Sequence, residues 1–404
     1  MPAERESRRG LSAVPRGVWV LGCVSLLMDL SSELIHALLP LYMATVLGAS
    51  ALVIGIVEGV AEATALLVKL FSGVLSDFFR KRKPLVLLGY GLAALSKLAF
   101  PLAPTLGWII AARFADRVGK GIRGAPRDAL IADIAPAAAR GRSFGLRQVL
   151  DTVGGVGGPL LALAGMAYFA NDFRAVFWIA VVPALLAVVL IIGGVDEPAG
   201  SRVEKRTPLR FADLKRFRSG FWFVVAIAGV LTLARFSEAF LVLRALNIGF
   251  SVASAPLVMV AMAIVYAVTA YPAGVAADRG QAPSLLGFGL AALILSDLFL
   301  AQASGPMMVL AGAALWGLHM GLTQGLLAAL IAAAAPADLR GTAFGAFNLI
   351  CGIALLIASV FAGWLWDAYG PEATFYAGAV FTVIAAIGLW LRRRDLALSS
   401  TTAH

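Results

Sequence analysis

Apolar residues in this chain come in long runs, and short polar stretches separate them. Runs near 18–46, 51–75, 84–103, 106–134, 142–169 and 174–194 precede a polar stretch from Asp196 to Gly220. Six more lie near 220–248, 254–276, 283–302, 306–334, 343–366 and 371–391. Each holds about 20 residues or more, the length a helix needs to cross roughly 30 Å of hydrocarbon. The pattern predicts an all-α integral membrane protein with twelve transmembrane helices. It divides into an arm (1–17), a six-helix bundle (18–195), a linker (196–219), a second six-helix bundle (220–391) and a tail (392–404).

Composition removes the soluble alternative. Of 404 residues, 60% are hydrophobic and 14% charged, whereas soluble domains are about half apolar and about one quarter charged. The net charge of +10 could suggest nucleic acid, but its placement says otherwise. Twenty-two of the 33 Lys and Arg residues fall in the arm, alternate loops and the tail, and the opposite loops hold only Arg174. That asymmetry predicts that the arm, linker and tail are cytoplasmic. The expected location is therefore a bacterial inner membrane, with the lipid bilayer as partner and no nucleic acid. Cys23 and Cys351 lie inside apolar runs and suggest neither a disulfide framework nor a metal site. The first run is longer than a signal-peptide core and is expected to be retained as span 1. No Gly-Lys-Ser/Thr phosphate cradle, nucleophile elbow or zinc motif occurs, so neither ATP drive nor an enzyme is expected, and no cofactor. Trp19, Trp108, Trp178, Trp222 and Trp364 lie near span ends, as interfacial anchors do.

The two halves repeat each other. Gly73-Val-Leu-Ser-Asp77 returns as Gly274-Val-Ala-Ala-Asp278, and Pro136 to Gly141 returns as Pro336 to Gly341. Phe144-Gly145 returns as Phe344-Gly345 at nearly the same offset. Duplicated parallel halves with a site near the midplane between them are the expected architecture. Gly73 to Asp77, continued by Phe-Phe-Arg80-Lys81-Arg82-Lys83, resembles the loop signature of the major facilitator superfamily. The resemblance implies a twelve-helix fold in two pseudo-symmetric six-helix bundles. It also implies a conformational latch made of Gly73, Asp77 and Arg80, with a degenerate copy at Gly274 and Asp278. Alternatively, the basic run only sets topology. The stretch Asp116-Arg-Val-Gly-Lys-Gly-Ile-Arg-Gly-Ala-Pro-Arg-Asp128 resembles a widespread bacterial subgroup of that superfamily.

Span 5 contains Gly154-Gly-Val-Gly-Gly158-Pro159. Small residues four apart let helices approach closely, and Pro159 frees a carbonyl. The pattern resembles the one associated with proton-coupled exporters of the superfamily, except that Leu161-Ala162-Leu163 stands where a glycine pair usually follows. Ordinary small-residue packing is the plainer alternative.

Intramembrane charges are the most informative feature, because each costs about 2.5–3.5 kcal/mol at depth unless it faces a partner or a cavity. Span 1 carries Asp29, Glu33 and His36 on one face, and span 2 carries Glu58, Glu62 and Lys69. Span 4 carries Arg113, Asp116, Arg117, Lys120, Arg123, Arg127 and Asp128, and span 5 adds Arg147 and Asp151. The last four of these, Arg127, Asp128, Arg147 and Asp151, are expected to pair across spans 4 and 5. Asp29 and Glu33 are the candidates for proton coupling, since a carboxylate there must be neutralised by a proton, a cation or an arginine. The competing expectation is permanent pairing with Arg117 or Lys120. His36, Glu58, Glu62, Arg113, Asp116, Arg117, Lys120, Arg235 and Glu238 are candidate contacts for a small-molecule or ion substrate. His36 could also report pH, and lone His319 in span 10 could simply be structural.

These features predict a monomeric secondary active transporter that moves a small polar or ionic solute by alternating access. Proton-coupled export is favoured by the span 5 pattern. Proton-coupled uptake of an organic solute or metal complex is favoured by the missing glycine pair. A non-transporting membrane receptor is the third reading.

Overall fold

The computed structural model describes residues 14–79, 81–136, 139–197, 216–217, 219–336 and 339–391, with backbone alone at 74, 77–79, 332–333 and 340–341. Most of the arm, Arg80, most of the linker, the tail and the side chain of Asp77 lie outside the described residues. Every regular element among those described is helical: span 1 (Arg16–Thr45), span 2 (Ala51–Phe79), span 3 (Lys83–Leu102), span 4 (Leu106–Ile134), span 5 (Arg140–Tyr168) and span 6 (Phe173–Gly194). Span 7 follows in two pieces, Ser219–Ala234 and Ala239–Asn247, then span 8 (Leu257–Ala276) and span 9 (Ala282–Ala301). Spans 10 (Pro306–Ala334), 11 (Arg340–Tyr369) and 12 (Pro371–Leu391) complete the chain.

Local chemistry sets many of the ends. Pro84, Pro283 and Pro306 open spans 3, 9 and 10 from the first turn, where a missing N–H costs nothing. The Asp172 carboxylate accepts from the amides of Arg174 and Ala175 and so caps span 6. One expectation needs correction. Span 7 is not one continuous helix, because it breaks between Ala234 and Ala239. The connection from span 8 to span 9 is short, Ala277–Gln281, and kinks at Gly280, whose φ of 82° leaves the helical region.

The duplication seen in the sequence reappears in the turns. Gly48 and Gly249 both take positive φ after spans 1 and 7, and Ala170 and Gly370 do so after spans 5 and 11. The helix pairs match as well. A Cβ on Gly89 would meet the Gly119 carbonyl at 2.8 Å, and one on Gly289 would meet His319 O at 3.7 Å. Spans 3 and 4, like spans 9 and 10, therefore approach through small residues, the route by which helices associate where lipid is as apolar as leucine.

The chain forms two compact units. The first comprises Met1–Ile35, Val68–Leu161 and Asp172–Thr207. Its core joins Val18, Leu21 and Val24 of span 1 to Tyr90 of span 3, Ile131 of span 4 and Ile191 of span 6. The second comprises His36–Leu67, Ala162–Asn171 and Pro208–His404, with one core cluster built from Phe221 and Val225 of span 7, Ile331 of span 10 and Ala343 of span 11.

Candidate functional site

Three groups of charges stand out in the first unit along spans 1, 3, 4 and 5, besides an Arg82–Asp133 pair at 3.1 Å. One is built around Asp116. Lys97 of span 3 donates to Asp116 at 2.8 Å, while Arg113 and Arg117 approach the other carboxylate oxygen at 3.9 and 3.7 Å. All four side chains are 2% exposed or less. Three cations around one carboxylate bind spans 3 and 4 to each other, and removing any member would leave charge buried without its counterpart. Sequence reasoning had Arg113, Asp116 and Arg117 as substrate contacts and passed over Lys97. The available signal was a lone lysine in an otherwise apolar span, which must find a partner.

The middle group holds the proton candidates. Asp29 faces Arg123 of span 4 at 4.0 Å, and the Arg123 guanidinium lies over the Tyr90 ring, 4.7 Å from its centroid. At Asp29, Arg123 occupies the place that the sequence assigned to Arg117 or Lys120, while Arg117 approaches Asp116. Depth explains the switch. Asp29 lies 13 residues in from Arg16, and Arg123 lies 11 residues in from Ile134, the ends of spans 1 and 4 on one side. Asp29 keeps 27% exposure, and Glu33 is half-buried one turn on.

Span 5 seats these carboxylates. A Cβ on Gly154 would lie 2.6 Å from the Leu26 carbonyl and 3.0 Å from Asp29 Cβ. One on Gly158 would lie 2.6 Å from Glu33 Cβ and 2.8 Å from the Leu34 amide. Each glycine thus lies against span 1 at one of the two acids, and Pro159 follows within the same helix. The third group pairs as its spacing predicts: Arg127 with Asp128 at 3.1 Å, and Arg147 with Asp128 at 3.3 Å and Asp151 at 3.2 Å. Lys120 is exposed at the midpoint of span 4.

In the second unit, His36 Nε2 lies 3.9 Å from a Glu58 carboxylate oxygen, and Glu58 is fully buried. Glu62, one turn on, is half-buried. Arg235 and Glu238 both lie in the break of span 7, and the Glu238 charge acts on Arg235. There the Ser237 hydroxyl accepts from the Ala239 amide, while Ser359 Oγ accepts from the Ser237 amide. The break leaves polar backbone at depth, as discontinuous helices of transporters do. Ser237, a residue that favours helix starts, was its only sequence signal. His319 Nδ1 lies 2.8 Å from the Gly289 carbonyl and must donate to it, which supports the structural reading. Arg244, unremarked in the sequence, donates to the Leu300 and Ala301 carbonyls and to Glu372, closing the ends of spans 7, 9 and 12 together. A Cβ on Gly73 would lie 3.4 Å from Ala125 Cβ of span 4, whereas one on Gly274 of the second copy would meet nothing within 4 Å. Asp278 lies in the short connection Ala277–Gln281. Among the described residues no group of three or more His, Cys, Asp or Glu side chains converges as a metal would require.

The profile of the Major Facilitator Superfamily matches residues 21–244 and 225–403. The chain belongs to that superfamily. This major facilitator protein is 31% identical over 390 residues to an uncharacterised MFS-type transporter of Methanocaldococcus jannaschii, covering 95% of both chains. It is 23% identical to the inner membrane transport protein YajR of Escherichia coli, covering 91% of this chain and 81% of that one. Its fold matches the crystal structure of the nucleoside transporter NupG with a TM-score of 0.78 at 13% identity, over 93% of this chain and 99% of the other. Twelve helical spans and this membership make the major facilitator chain a multi-pass membrane protein and a secondary transporter.

Proposed function

We propose that this transporter exports a small polar or ionic solute across a bacterial inner membrane in exchange for protons, with Asp29 and Glu33 carrying the coupling proton. One observation carries the reading. The glycines of the exporter-like span 5 pattern abut span 1 at these two acids, so any movement of span 5 against span 1 changes their surroundings. Two carboxylates one turn apart within a span cannot both remain charged cheaply. A proton taken up on one side and released on the other is what coupling requires.

Solute contacts are assigned to Lys120 in the first unit and to His36, Glu58, Glu62, Arg235 and Glu238 in the second. Arg113, Asp116 and Arg117 face one another, and their role is to hold spans 3 and 4. Gly73, Asp77 and Arg80 form the latch that stabilises the outward-facing state, with Gly274 and Asp278 contributing less. The chain works as a monomer of two six-helix bundles, 18–195 and 220–391, with its arm, linker and tail in the cytoplasm. The stretch from Asp116 to Asp128 marks the bacterial subgroup.

The test is gradient-driven accumulation and solute exchange measured separately in proteoliposomes. Asp29→Asn and Glu33→Gln should abolish accumulation and leave exchange largely intact. Unchanged proton-driven transport in both single variants and the double variant would sink the assignment. Uptake by proton symport is the second reading, favoured by Leu161-Ala162-Leu163 in place of a glycine pair. Solute accumulating on the acidic side of the membrane supports export, and accumulation on the opposite side supports symport.

A further inference from the structure

Two lysines of the first unit stand apart from every other intramembrane cation near them. Lys69 of span 2 and Lys120 of span 4 are both exposed, and neither makes a hydrogen bond or ion pair among the described residues. An ammonium inside a span that is both unpaired and exposed faces water, because lipid would exact its full desolvation cost.

Their placement brings them to one helix face. The Lys69 methylenes lie 3.6–3.7 Å from where a Cβ on Gly124 would stand. Gly124 is one turn from Lys120, and Arg127 and Asp128 lie one turn further, so all four share a face of span 4. Lys69 therefore crosses that face between Lys120 and the Arg127–Asp128 pair. The charges that face Lys69 are Asp128, Arg127, Arg147 and Lys120. Lys120 also acts on Asp29, together with Asp151, Arg123 and Arg127.

The carboxylates in reach are already engaged. Asp128 accepts from Arg127 and Arg147, Asp151 pairs with Arg147, and Asp29 faces Arg123. Arg123, Arg127 and Arg147 thus match these three acids, and Lys69 and Lys120 are left without an ion pair among the described residues. Glycine at 124 keeps the strip between them bare.

We infer that Lys69 and Lys120 form an anion-binding site and that the transported solute carries a carboxylate, phosphate or sulfonate group. The inference rests on the transporter reading for its biological role and on the lysines for its chemistry. An anionic lipid headgroup offers the same chemistry. Lys120, however, sits at the midpoint of the 29-residue span 4, far below headgroup level, so a soluble anion is the ligand.

The test uses the full chain in neutral detergent, with sulfo-NHS-acetate labelling of Lys69 and Lys120 read by peptide mass spectrometry. Phosphate, succinate and benzoate are compared with succinamide, benzamide and putrescine at matched ionic strength. At least one anion should slow acetylation of both lysines about fivefold or more, saturably, and the neutral and cationic probes should not. Lys69→Gln and Lys120→Gln should each weaken that anion's thermal stabilisation about tenfold in apparent affinity, a lost charge-assisted contact. Lys69→Arg and Lys120→Arg should preserve it. The site is overturned if no anion protects either lysine, if benzamide or putrescine protects equally, or if the double Gln variant binds as before. Protection by phosphatidylglycerol nanodiscs alone would also overturn it, assigning the lysines to lipid. Flux of the same probes in proteoliposomes separates the two ideas. Anion protection without flux keeps the site and counts against the transport role, and putrescine flux without anion protection does the reverse.

Discussion

The close seating of span 5 on span 1 makes a graded prediction within a single run of glycines. Substituting alanine adds one methyl group. At Gly158 that methyl would stand 2.6 Å from Glu33 Cβ, 2.8 Å from the Leu34 amide and 2.9 Å from the Glu33 carbonyl carbon. Ordinary carbon contacts begin at about 3.5 Å, so the helices must separate by roughly 1 Å. None of the three atoms is the movable tip of a side chain, so rotamer changes cannot absorb the clash. Overpacking of this sort typically costs about 1–3 kcal/mol. Gly154→Ala, which would strike the Leu26 carbonyl at 2.6 Å and Asp29 Cβ at 3.0 Å, falls in the same range. Gly155 lies between them in sequence but has nothing within 4 Å of its would-be Cβ, so Gly155→Ala should be neutral or slightly stabilising. Thermal unfolding of the three purified variants in one detergent, with transport assayed alongside, checks the order. Equal midpoints for Gly155→Ala and Gly158→Ala would refute the close approach. A destabilised Gly158→Ala protein with unaltered coupling would separate packing from mechanism.

Asp116→Asn should destabilise the fold by about 3–5 kcal/mol, because Lys97, Arg113 and Arg117 lose their shared counter-charge. Combining it with Lys97→Met should recover part of the loss in a thermal denaturation series, and simple additivity would argue against the cluster. Asp367 accepts from the amides of Ala51 and Leu52 at 3.1 and 2.9 Å, so Asp367→Ala should cost about 1 kcal/mol and speed hydrogen exchange at those two amides. Exchange that is fast only elsewhere in span 2 would contradict that cap. Arg244→Gln should destabilise more than any other single change in span 7, since two backbone carbonyls and Glu372 lose a charged donor. For orientation, a cysteine introduced at Ser201 should resist impermeant thiol reagents in intact cells, and labelling from outside would invert the assigned topology.

Span number, duplication and the identity of the glycine-rich span were legible in the sequence, because each depends on information local to one helix. Length against bilayer thickness, a repeat near 200 residues and Gly154 four residues before Gly158 need no knowledge of neighbours. Beyond the Arg127, Asp128, Arg147 and Asp151 group, which charges meet which was not legible. Helical spacing put Asp29 and Glu33 on one face of span 1 and lined up the cations of span 4. It did not say that Arg117 would sit with Asp116 and Lys97 while Arg123 faced Asp29. Partner choice depends on the depth and rotation of one helix against another. Those are set by close approaches such as Gly89, where a Cβ would lie 2.7 Å from the Arg123 amide, and Gly154, where one would lie 2.6 Å from the Leu26 carbonyl. The break at Arg235 to Glu238 was hidden for a similar reason, since neither glycine nor proline marks it and Ser359 of span 11 supplies an acceptor there. The hydrophobic pattern thus determined how many helices cross the membrane. Only the packed structure decided which buried charges neutralise one another and which two lysines remain open to water, because those outcomes depend on distances of a few ångströms between segments far apart in the chain.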